Sequence, residues 1–184
     1  MTHEIEKLAF AYPFNVRRLA RKGQHIRFAA DPDICARIAR DYDLIEVKLF
    51  EVECKITPWK SDGVALSGSI RADVIQPCAV SAEPLRQKVE EEIDFIFLPE
   101  GSRLVRPPRF EEQEMILDPT GDDIPDTFMG DSLDLAGPWL ETFVLGIDPF
   151  ARIEGVEFSS DKLDSERESP FAALAALKSE TKNV

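Results

Sequence analysis

Between Leu44 and Leu98 the chain repeats one pattern three times: apolar and polar residues alternate over stretches long enough to cross a sheet. Successive side chains of an extended strand point to opposite faces, so a sustained period of two marks a half-buried strand. In Leu44–Trp59, Ile45, Val47 and Leu49 hold one parity and Val52, Cys54 and Ile56 the other, so a bulge or twist is expected near Phe50. Val64, Leu66, Gly68, Ile70, Ala72 and Val74 share one face of Val64–Gln76, and Ser61-Asp62-Gly63 supplies the turn that makes these two stretches a hairpin. In Leu85–Leu98, Val89, Ile93, Phe95 and Phe97 line the buried face, while Arg86, Lys88, Glu90, Glu92 and Asp94 meet water. Strands of this kind bury their apolar faces by pairing antiparallel and taking cover on one side.

Helices supply that cover. Asp31-Pro32 opens a short helix to Arg40, with Asp31 as cap, Pro32 at the first helical position and arginines toward the negative end of the dipole. Its apolar stripe is Ile34, Ile38 and Tyr42, with Cys35 and Ala39 beside it. A second helix starts near Gly137 and stops at Gly146, presenting Trp139, Leu140, Phe143 and Val144. A third follows Ser169, with Phe171, Leu174 and Leu177 on one face of an alanine-rich run. Ahead of all this, Pro13–Leu19 and Gln24–Ala30 read as two short strands around a turn at Gly23. From Pro99 to Gly130, prolines mixed with carboxylates predict a long acidic loop. The fold class expected is α+β: a largely antiparallel sheet with two or three helices, a long acidic Pro-rich loop and a C-terminal helical tail. One domain over 1–158, then linker and tail over 159–184, is the expected division; the 43% hydrophobic content, with 12 Phe, is enough for one core.

The formal charge of −13 is unevenly placed. Residues 1–40 carry eight basic side chains against four acidic, leaving 14 against 31 in the remainder. Arg17, Arg18, Arg21, Lys22 and Arg27 fall within eleven residues, with Tyr12, Phe14 and Phe28 nearby, a combination suited to phosphates and stacked bases. The plainer alternative is a cationic strand face neutralised by the protein's own acids. In the opposite sense, no Lys or Arg occurs from Phe110 through Ala151, where eleven acids do. Glu111, Glu112, Glu114, Asp122, Asp123, Asp126, Asp131 and Asp134 are candidates to hold a basic partner, against the plainer reading of a solvated surface.

Cys35, Cys54 and Cys78 are odd in number and far apart, which argues against a disulfide framework and for a reducing, cytoplasmic setting. The N-terminal residues show neither signal peptide nor membrane anchor. Without a close cysteine pair, and with only His3 and His25 as imidazoles, no zinc site is expected. Cys78 paired with His25 is the one nucleophile arrangement to weigh, and a packing role for Cys78 is favoured over it. Phosphate-binding glycine loops, GxSxG and HExxH are absent, and no pair of carboxylates stands apart from the rest. The chain is therefore read as a non-enzyme, with no cofactor and no small-molecule substrate; a carboxylate- or Cys78-dependent enzyme is the rival.

Three segments stand out together: Gly68 through Cys78-Ala79-Val80-Ser81-Ala82-Glu83-Pro84, then Asp134-Leu135 through Glu141 to Asp148-Pro149, and finally Pro170–Lys178. Jointly they resemble the YceD family of large ribosomal RNA accumulation proteins. Cys78, Glu83, Pro84, Asp134 and Glu141 carry the motif; Ser81 stands where the family pattern can hold a second cysteine, so its metal-binding version is not carried over. The resemblance implies a noncatalytic role in large ribosomal RNA accumulation or large-subunit assembly. The partner expected is ribosomal RNA, through the Arg17–Arg27 cluster, or a basic large-subunit ribosomal protein, through Glu111–Asp148. The acid excess favours the second slightly; an interaction protein unrelated to ribosomes is the remaining alternative.

Overall fold

The computed structural model describes residues 8–105, 110–111, 114–115 and 125–155. Its centre is the expected antiparallel ladder. Strand β3 (Glu46–Trp59) pairs with β4 (Gly63–Pro77), and β4 with β5 (Pro84–Pro99), giving three long strands in succession. Strand β2 (Gln24–Ala29) adds antiparallel to β3 from Gln24↔Ile56 to Ala29↔Glu51. On the far edge β8 (Asp126–Phe128) pairs parallel with β5, completing the order β2-β3-β4-β5-β8. The protein is thus α+β, with a mostly antiparallel five-stranded sheet.

Helices α1 (Pro32–Asp41) and α2 (Ala136–Leu145) cover one face of this sheet. Helix α1 starts where capping chemistry says it should: the Asp31 side chain accepts the Ile34 N–H at 2.8 Å, and Pro32 occupies the first turn. The two helices meet through Tyr42 and Phe143, whose rings lie 6.1 Å apart, and Phe50 of β3 packs edge-on against Phe143 at 5.4 Å. Trp139, Leu140 and Phe143 are buried as expected, joined by Ala136, but Val144 is exposed. Ala136, Trp139, Leu140 and Phe143 fill a stripe spaced three and four residues apart, and Val144 falls beyond its edge.

The alternation of β4 and β5 is realised, with Val64, Leu66, Ile70, Ala72, Val74, Val89, Ile93 and Phe97 buried. The parity change of β3 appears as a register shift between Val47 and Leu49. Val47 and Phe50 are both buried, while Ile45 and Leu49, expected on the core face, are about half exposed. The opposite sheet face is charged and open to water, and cross-strand ion pairs Arg27–Glu53, Arg71–Glu51 and Arg86–Asp73 lie on it.

The N-terminal hairpin is not formed. Strand β1 (Pro13–Asn15) leaves Gly23 behind and pairs with β9 (Ser132–Asp134), placing Phe14 opposite Leu133, both buried. Between β1 and β2 the chain makes a 3-10 turn at Val16–Arg18 and a second turn closed by Gly23 N–H to Ala20 C=O, 2.8 Å. Two turns in eight residues redirect the chain, so the strands flanking Gly23 take different partners. The acidic loop also contains short strands, β8 and a two-residue ladder of β6 (Phe110–Glu111) with β7 (Glu114–Met115), and β9 follows just beyond it. The predicted tail helix at 169–178 lies outside the described residues.

Candidate functional site

The turn between β1 and β2 holds four of the five predicted cations. Its position is fixed from below: Val16 N–H donates to the Asp131 carbonyl at 2.9 Å, and the Arg17 guanidinium meets the Asp131 carboxylate at 2.6 Å. Gly23, at φ +78°, seats the far end against β3; a Cβ there would lie 2.6 Å from Thr57 Cγ2 and 2.7 Å from the Ile56 carbonyl oxygen. That close approach brings Lys55, whose Cε would lie 3.2 Å from the same Cβ, beside the turn. Arg18, Arg21 and Lys22 are exposed, and none has an ion-pair partner among the described residues.

Arg27 belongs to a different surface. It lies three residues into β2, about 10 Å along the strand, and donates twice to Glu53 on the open sheet face, at 2.9 and 2.8 Å. Of the predicted cluster, two members therefore have an acidic partner and three do not. Both pairs are exposed, with side-chain accessibilities of 78% and 42% for Arg17–Asp131 and 82% and 53% for Arg27–Glu53. Ion pairs this wet contribute about 0–1 kcal/mol, so a phosphate can replace either carboxylate at little cost. Phe14 is buried opposite Leu133, and Phe28 is half-buried in an aromatic group with Tyr12, Phe10 and Trp139, so these rings serve the core. Lys55 escaped the sequence reading because its neighbourhood with Gly23 is created only by the β2–β3 register.

The predicted acidic surface divides. Asp131 anchors the cationic turn. Asp134 Oδ1 accepts the Tyr12 N–H at 2.7 Å and the Ala136 N–H at 3.1 Å, tying β1 to the start of α2. Asp126 is exposed on β8. Glu111 and Glu114 lie in the two-residue ladder, and Glu112, Asp122 and Asp123 fall outside the described residues.

Cys78 lies where β4 ends, in a tight turn to β5. Its N–H donates to the Glu83 carbonyl, and its carbonyl receives the N–H of Ala82, which sits at φ +60°. The sulfur is surrounded by donors: the Ser81 hydroxyl first, then the backbone N–H groups of Ser81, Ile153 and Val80, the Ile153 nitrogen being 3.5 Å away. Hydrogen bonds of this kind favour the thiolate, and they pull the thiol down to about 6. Burial acts the other way on Cys54, pushed up to about 11 by its apolar surroundings, which the nearby Trp139 ring N–H offsets only in part. Burial, and then Asp31, also raise Cys35. The pairing of Cys78 with His25 is not realised. His25 is level with Ser67 through Lys55, and Cys78 lies eleven residues farther along β4, about 35 Å. Glu83, Pro84 and Glu141 are all exposed.

No protein-family model, no curated protein and no solved structure matches the chain. Among the described residues, no three His, Cys, Asp or Glu side chains converge as metal ligands, and no helix is long and apolar enough to cross a membrane.

Proposed function

We propose that the protein is a noncatalytic factor supporting large ribosomal RNA accumulation or large-subunit assembly, and that it touches ribosomal RNA through the turn from Arg17 to Lys22. One observation carries this reading. In a chain with an excess of 13 negative charges, Arg18, Arg21 and Lys22 project from a single turn with no acidic partner among the described residues. Strongly acidic proteins repel a phosphate backbone at long range, so a local cationic turn gives short-range, salt-sensitive and reversible attachment. The resemblance of the Cys78–Pro84 and Asp134–Pro149 segments to the YceD family supplies the ribosomal context. The turn at Cys78 and the α2 region that carry this resemblance lie on the scaffold and make no part of the cationic turn.

The test is filter retention of a single-stranded large-subunit ribosomal RNA fragment against salt, for the native chain and for the triple variant Arg18→Gln, Arg21→Gln, Lys22→Gln. Each phosphate contact on a single strand adds about 0.7 to the log–log salt slope, so losing three contacts lowers the slope by about 2. Equal slopes for the two proteins, or no retention of RNA by either, would sink the reading. Affinity capture that recovers a basic ribosomal protein and no RNA would move the function to the acidic segment.

A further inference from the structure

Strands β2 to β5 place one Phe, Tyr or Trp on the open face of the sheet, and it stands beside the cationic turn. In β3, Val52, Cys54 and Ile56 are buried in the core, so Lys55, Thr57 and Trp59 share the opposite face. The ladder with β4 is unbroken from Leu49 to Trp59, which keeps that parity to the end of the strand. Thr57 already meets the turn at Gly23, and Trp59 lies about 7 Å farther along β3. Trp59 is half-buried.

The ring is supported on one side and wet on another. Trp59 faces Gly63 across the hairpin, and a Cβ on Gly63 would lie 3.0 Å from Trp59 Cε3 and 2.9 Å from Leu98 Cδ2. The indole thus takes the space that a side chain at position 63 would fill, next to Leu98. Leu98 is fully buried although the parity of β5 puts it on the open face with Trp59. A cation covers the ring: Lys60 Nζ is 3.9 Å from its centroid. The nearest acid in sequence, Asp62, accepts the Ser61 hydroxyl at 2.9 Å. Asp94 lies two strands from Lys55, about 10 Å away, and neither acid pairs with Lys55 or Lys60 among the described residues.

We propose that Trp59 is the stacking platform of the RNA site, taking one unpaired base while Arg21, Lys22 and Lys55 hold the adjoining phosphates. The proposal rests on the RNA reading above and names what that site selects. A cation–π contact on a ring open to water is weaker than a stacked base, so a base displaces Lys60 from the indole. Lys60 then adds a phosphate contact of its own. Stacking needs a base free of its complement, so the site takes single-stranded RNA and rejects the duplex. Tyr12, Phe14 and Phe28, the rings near the cations in sequence, are engaged in the core, and Trp59 reaches the cations only through the β2–β3 register.

The probe is a short oligouridylate, alone and in a duplex with oligoadenylate. The chain has two tryptophans and Trp139 is fully buried, so emission quenched during titration reports Trp59. The single strand is expected to quench the native chain. Polarisation of a labelled strand is expected to show Trp59→Leu binding about tenfold more weakly at an unchanged salt slope, with Trp59→Phe recovering most of the loss. A native chain that binds the strand without quenching overturns this proposal and leaves the cationic turn standing, as does Trp59→Leu at native affinity. Equal affinity for the duplex overturns it too. No binding by the native chain even at low salt overturns both this proposal and the RNA reading beneath it.

Discussion

Replacing Gly68 by alanine adds one methyl group at the tightest point of the β3–β4 ladder. Gly68 stands opposite Cys54, and a Cβ on it would lie 2.6 Å from Cys54 Cβ and closer still to the Cys54 Cα and the Glu53 carbonyl oxygen. Two of these three atoms are backbone in the centre of a sheet, so no rotamer change relieves the contact, and the strands must separate by close to 1 Å. Overpacking of this kind costs about 1–3 kcal/mol, and the upper end applies where backbone must move. The loss of glycine's freedom in the unfolded chain returns about 0.5–1 kcal/mol, leaving a net cost of about 2 kcal/mol. For a domain of this size that lowers Tm by about 4–8 °C. The assay is thermal unfolding by circular dichroism beside a control, Gly130→Ala. Gly130 sits at φ +68° with no atom within 4 Å of a built Cβ, so its substitution carries only the left-handed backbone cost of about 1–2 kcal/mol, less the same entropic return. A Gly68→Ala protein that melts at or above the native temperature, or a control that loses more, would refute the reasoning.

Titration of thiolate absorbance near 240 nm, native minus Cys78→Ser, is expected to show a midpoint near 6, while Cys35 and Cys54 stay protonated past pH 9. A difference midpoint above 8 would remove the donor cage around Cys78. Because the folded thiol titrates below its ordinary value of 9.0, the thiolate's contribution to stability is fully present above 9 and lost as pH falls toward 6. Gln87→Leu disconnects a second clamp on the same segment. Gln87 Nε2 donates to the Gly146 carbonyl at 3.0 Å, and its Oε1 accepts from buried Gln76 at 2.8 Å and from Asp148 N–H at 3.3 Å. Orphaning these groups costs about 1–3 kcal/mol in urea unfolding. It also raises the Cys78 midpoint, because Ile153 lies on the released segment; stability unchanged within about 0.5 kcal/mol would count against the clamp.

Much of the scaffold was legible because it rests on local rules. The period of two in β4 and β5 survives from sequence to burial, and the capping pair Asp31-Pro32 places α1 to within a residue. What was not legible depends on long-range register. Nothing in Pro13-Phe14-Asn15 points to Ser132-Leu133-Asp134 as its partner, and strands of three residues such as β8 and β9 are too short to show a period. At the candidate site, cation spacing along the chain was visible, yet the separation of Arg27 from the turn follows from its place inside β2. The Cys78 donors show the same divide: Val80 and Ser81 are neighbours in sequence, whereas Ile153 arrives from 75 residues away.

The irregularity between Val47 and Leu49 protects the protein from its own neighbours. A straight edge at Glu46–Leu49, next to the apolar Ile45, would be a template on which a second molecule could add a strand and start an aggregate. The register shift there twists the edge out of line, and Glu46 and Lys48 set two charges along it. A bulge that costs β3 part of its alternation thus keeps an open sheet from growing at that edge.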